Sequence, residues 1–90
     1  MNTRALLDNY IYLKSMSENN IDLVDYVIDI ENALNRLSDR YRFILEKIHV
    51  YGFQQKEVAE MLHVTKSTLN GVYKNALKEF ERYYKNEYNN

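Results

Sequence analysis

A chain of 90 residues, 46% of them hydrophobic, can bury one small core and not two, so a single domain over residues 1–90 is expected. With no Pro, no Cys and only two glycines, long helix-compatible stretches run uninterrupted; all-α is the natural class, and disulfides and thiolate chemistry are excluded. The formal charge of −1 is low for a chain that would grip phosphates, although residues 39–90 hold nine basic side chains against seven acidic ones, and residues 1–38 three against six.

Taken in chain order, Thr3 to Met16 predicts a first helix with Leu6, Tyr10 and Leu13 on one stripe and Leu7 and Ile11 beside it, followed by a polar loop at Ser17–Asn20. The ordinary use of such a face is packing on its own domain. It is also a candidate partner surface through Leu6, Tyr10 and Leu13. From Asp22 to Arg36, the positions Leu23, Val27, Ile30, Leu34 and Leu37 alternate at four and three residues, which predicts a second helix with acidic residues at its start and Arg36 at its end. Two heptads fall short of a sustained coiled-coil repeat, so this stripe is assigned to the core. Ser38 is placed as the cap of a helix from Asp39 to Val50 with Phe43, Ile44, Leu45 and Ile48 inside; Gly52 closes it, and Tyr51-Gly52-Phe53 connects onward. Residues 1–20 thus form a helix and loop, and 21–52 the supporting helices.

The segment 53–85 carries most of the functional information. Val58, Ala59 and Leu62 share one helical face, His63-Val64 forms a tight turn, Thr65 caps the next helix, and Leu69, Val72, Tyr73 and Ala76 continue a buried stripe. This is the layout of a helix-turn-helix, with Ala59 the small residue at the helix crossing and Val64 the apolar plug. The expected architecture is a bundle of about five helices with this motif toward its C-terminus. The last helix runs on through Leu77, Phe80 and Tyr84, and residues 86–90 are expected to fray. Tyr83, Tyr84 and Tyr88 make that tail aromatic and add a second candidate partner surface.

On these residues the chain resembles region four of the bacterial RNA polymerase sigma factors. The matching positions are Glu57-Val58-Ala59, Leu62, Val64-Thr65 and Ala76-Leu77, and upstream Leu37-Ser38-Asp39-Arg40-Tyr41-Arg42-Phe43-Ile44-Leu45 looks like the helix opening that precedes the motif; the resemblance covers about residues 30 to 84. It departs from the pattern at His63, where the family usually has Gly, and at Asn70-Gly71, where Arg, Lys or Gln is common. The resemblance implies a small transcription regulator that places its second motif helix in the major groove of double-stranded DNA and recruits or redirects RNA polymerase. A complete sigma factor has a further domain that 90 residues leave no room for. In the family, region four also docks on the polymerase β flap through an apolar surface, and Leu34, Leu37, Ile44 and Ile48 lie in the matching segment.

The candidate DNA-binding residues are Lys66, Ser67 and Asn70 at base edges, and Gln55, Lys56 and Lys74 at phosphates. Lys donates to guanine O6 or N7, and Asn pairs with adenine at two points. The alternative is a protein-interaction module that keeps the motif as a scaffold and uses the acidic N-terminal helices to bind polymerase, a sigma factor or another protein. A homodimer is a further candidate assembly, because one recognition helix on a chain of charge −1 has few phosphate contacts. No enzyme is expected, since no nucleophile and base stand at recognisable spacing and no Gly-rich phosphate loop is present. His49 and His63 lack companion ligands, so no metal or cofactor is expected either. The N-terminus lacks a secretory pattern, and no run approaches the roughly 20 apolar residues of a membrane span, which points to a cytoplasmic protein without membrane contact. Abundant Asn, Lys, Ile and Tyr hint at an AT-rich genome, and the small form at a phage or mobile element.

Overall fold

Helix α1 (Thr3–Asp8) and helix α2 (Tyr10–Ser17) stand where one helix was expected. The break is chemical: Asn9 sits at φ −96°, ψ 2°, and its side-chain amide and its backbone N–H both donate to the Ala5 carbonyl, at 2.7 and 3.0 Å. A side chain competing for a helical carbonyl is the usual reason Asn interrupts a helix. The computed structural model describes residues 2–89, without the side chains of 86–89.

Helix α3 (Ile21–Arg36) starts one residue earlier than the spacing predicts, because Asn20 Oδ1 accepts from the Asp22 N–H at 3.0 Å and caps it. Its stripe of Val27, Ile30, Ala33 and Leu34 is buried. Ser38 caps helix α4 (Asp39–Leu45) as expected, its Oγ accepting from the Tyr41 N–H at 3.3 Å. The helix then widens into a π turn over Glu46–Val50 instead of staying α-helical to Val50. The Tyr51 N–H reaches back five residues to the Glu46 carbonyl at 3.0 Å, and the Phe53 N–H reaches Lys47 O at 2.9 Å. Gly52, at φ +78°, takes the left-handed conformation that its sequence position implies.

Helices α5 (Gln55–Met61) and α6 (Lys66–Asn89) complete six helices, with no strand among the described residues. At about 1.5 Å per residue the 24 residues of α6 span roughly 36 Å and set the long dimension of the molecule, 42 Å. The segment 86–89, expected to fray, continues this helix. One buried cluster joins Leu7 of α1, Ile30 and Leu34 of α3, Ile44 and Leu45 of α4, Val58 of α5, and Leu69, Ala76 and Phe80 of α6. Leu34, Leu37 and Ile44, the residues matching the family's flap-docking surface, are all inside it, and Ile48 packs against it.

The N-terminal helices are tied on by polar contacts as well. The Tyr10 hydroxyl donates to Glu31 Oε2 at 2.6 Å, and Lys14 Nζ reaches the same oxygen at 3.0 Å. These hydrogen bonds, that of Tyr10 first, hold the Glu31 carboxyl below the usual carboxylate range. A depressed folded-state pKa means stability that is complete above the unfolded-state value and is lost as pH falls through the folded one. Glu31→Gln is therefore expected to lower stability slightly at neutral pH, leave the most acid end unchanged, and so flatten the acid limb between them. The effect is small because solvent screens the pair. Urea midpoints measured across acid pH check it; an unchanged acid limb contradicts the role given to Glu31.

Candidate nucleic-acid interface

Three short-range devices fix the motif. At the start of α5, Glu57 reaches back so that its Oε1 accepts from the Gln54 N–H at 2.9 Å, which firms a cap position where Gln is uncommon. At its end the His63 N–H donates to Glu60 O at 3.2 Å and the Val64 N–H to Ala59 O at 3.0 Å, the paired bonds of a Schellman ending. His63 holds the left-handed position at φ 57°, which an L side chain adopts at some strain, and it is the only non-glycine residue to do so among those described. Thr65 then caps α6: its Oγ1 accepts from the Thr68 N–H at 3.1 Å, and the hydroxyl donates to Thr68 Oγ1 at 2.9 Å.

Ala59 is 3% exposed at the crossing of α5 with α6, and Val64 packs on the core beside it. Leu69, Tyr73 and Ala76 are buried, so the opposite side of α6 faces solvent. There Lys66, Ser67 and Lys74 are exposed and Asn70 is half-buried; on α5, Lys56 is exposed and Gln55 half-buried. Among the described residues, none of these six side chains has an internal hydrogen bond or ion pair, so their polar groups are available to a ligand. Ser67, Gly71, Lys74 and Lys78 follow at intervals of four, three and four along one face. Gly71 lies in the middle of it. It is exposed, and a Cβ built there meets nothing within 4 Å, so close internal packing does not explain this glycine.

The candidate partner residues fare differently. Leu6 and Tyr10 are each only 8% exposed, and Leu13, Tyr83 and Tyr84 pack against the core, so their apolar surface is largely spent inside the molecule. The side chain of Tyr88 lies outside the described residues. What α2 presents outward is Ile11, Tyr12 and Met16.

Two arrangements escaped sequence reasoning. His49, whose side chain is 5% exposed, places Nδ1 2.5 Å from Asp8 Oδ1 and Nε2 2.8 Å from the Tyr73 hydroxyl. A carboxylate only accepts, so Nδ1 carries the proton, and in the neutral ring Nε2 accepts from Tyr73. Burial, ahead of the opposing pull of Arg4, pushes the Tyr73 hydroxyl pKa up and keeps it a donor. The bridge couples α1 to α6 through His49, 41 residues from Asp8 and 24 from Tyr73, and no local pattern announces it. The second is Lys47, whose ammonium lies over the rings of Phe43, Tyr51 and Phe53 at 5.4, 4.9 and 5.5 Å. Here a signal existed, since Phe43 and Tyr51 stand four residues on either side of Lys47.

Two helices joined by a left-handed turn, with the second capped and its outer face free, make this a helix-turn-helix protein. The sequence model described as sigma-70, region 4 matches residues 28–79, and the chain belongs to that family. Domains of that family are DNA-binding regulatory domains, not enzymes. No curated protein and no solved structure matches the chain. Among the described residues no helix is long and apolar enough to cross a membrane, and no three His, Asp or Glu side chains are grouped to hold a metal.

Proposed function

We propose that the chain regulates transcription by laying the first turns of α6 in the major groove of duplex DNA, with RNA polymerase as the machinery it recruits or redirects. The observation that carries this reading is the set of unengaged donors, Lys66, Ser67, Asn70 and Lys74, on the solvent face of a helix whose start is fixed by Thr65 and whose angle is fixed by the His63 turn. Lys66, Ser67 and Asn70 read base edges; Lys74, with Gln55 and Lys56 from α5, holds phosphates. Gly71 supports the same reading, because a bare backbone at the middle of that face permits close approach to DNA. Gly71→Ala is expected to raise thermal stability by about 0.5–1 kcal/mol, since the site is helical and open, and to weaken DNA affinity. Melting curves and gel-shift titrations of the same sample check both; a gain in stability with unchanged affinity removes Gly71 from the interface.

A second reading rests on charge. The net charge of −1 and the acidic α2–α3 end suit a module that binds protein through its N-terminal half and keeps the motif as scaffold. Selection of duplexes from a random library, together with a pull-down from bacterial lysate repeated with nuclease, separates the two. Enriched sequences support the first reading. Polymerase subunits retained after nuclease, without any enriched sequence, support the second and overturn the first.

A further inference from the structure

Between α1 and the second half of α6 lies a groove of about 570 Å³. Leu6, Leu77 and Tyr84 supply its apolar lining, and Arg4, Lys74 and Lys78 stand on its rim. Its one carboxylate, Glu81, is already paired with Lys85 at 3.0 Å. Arg4 lies over the Tyr73 ring, and among the described residues none of the three rim cations forms an ion pair. The α1 side of this groove, with Glu81, Tyr84 and Lys85, lies outside the family-matched segment 28–79, and Lys74, Leu77 and Lys78 lie inside it.

The opposite chemistry stands at the turn from α2 into α3. Ile21 is 83% exposed and contributes nothing to its own core, and Ile28, seven residues further along the same stripe, is 45% exposed. Asp25 lies between them on that stripe, and Glu18 and Asp22 flank it. All three carboxylates are exposed, and none forms an ion pair among the described residues. One face thus offers three free cations over an apolar floor, and the other three free anions around an apolar ridge.

We propose that the chain associates head to tail with a second copy of itself, the α2–α3 turn of one copy entering the α1–α6 groove of the next. Opposite charge orients the encounter, and burial of Ile21 and Ile28 against Leu77 and the edges of Leu6 and Tyr84 that still line the groove supplies the attraction. Because the two faces are different patches, each copy keeps one of each unused, and the contact propagates or closes into a ring instead of stopping at a symmetric pair.

Sedimentation of the purified full chain, from micromolar to millimolar concentration, tests this. The expected result is a mass that climbs past two copies with concentration at low salt and falls back toward monomer as salt rises. R4E/K78E and D22N/D25N should each lose this association. An equimolar mixture of the two variants retains one intact groove and one intact turn, so it should recover a one-to-one dimer and go no further; that recovery also shows that each variant is folded. A wild type that stays monomeric throughout, one that stops at two copies, or a mixture of variants that remains monomeric overturns the proposal.

Discussion

Lys66→Ala and Asn70→Ala are each expected to weaken binding to a selected DNA site by about 1–3 kcal/mol, because each removes donors that the proposed function assigns to base edges. Both side chains lack internal partners, so the melting temperature should move little. Lys74→Ala, by contrast, should weaken all sequences alike and lower the slope of affinity against salt, as the loss of a phosphate contact does. Library selection with wild type and with the Lys66/Asn70 double variant checks the claim. Equal binding and equal sequence preference in the two would remove direct readout by α6.

Ala59→Leu is expected to cost about 1–3 kcal/mol of stability. Ala59 is 3% exposed, its carbonyl accepts the Val64 N–H that closes the turn, and Val58 beside it is fully buried. Three extra carbons there must push α5 off α6 or strain the His63 turn, which already sits in a left-handed conformation. Chemical denaturation gives the stability change, and a gel shift on the same variant should show DNA binding falling with it, since the angle of α6 depends on the crossing. A variant as stable as wild type would mean that the crossing has spare volume, which contradicts the packing described.

Much of what depends on neighbours within four residues was legible in the sequence, the Asn9 break and the Asn20 cap being the exceptions. Ser38 and Thr65 are caps, Gly52 and His63 take positive φ, and the stripe of α3 is buried, all from side-chain chemistry and helical spacing. Features set by what comes to lie on top of a helix were not legible. Leu6 and Tyr10 read equally well as core or as partner surface until α3 and α6 are seen to cover them. Gly71 could not be told from a packing glycine without the empty space around it. In the candidate site, residue types and spacing nominated Lys66, Ser67, Asn70 and Lys74, whereas the bridge from Asp8 through His49 to Tyr73 joins residues too distant in sequence to suggest one another.

The widened turn at Glu46–Val50 bears on how this chain tolerates changes of length. Such a turn is what a helix looks like when it carries one residue more than its regular repeat allows. Deleting one residue here would let the helix regularise, and by that local measure the shorter chain would be the more comfortable one. Four α-helical residues turn the chain about as far as the five residues of a π turn, so the same deletion would leave everything after it near its present angle about the axis of α4. Inside the turn, however, the side chains would change phase, so His49 would leave Asp8 and Tyr73 or Lys47 would leave the rings of Phe43, Tyr51 and Phe53. Gene variants that lose a codon between Glu46 and Val50 would therefore be felt first in the contacts of His49 and Lys47, and only through them in α6.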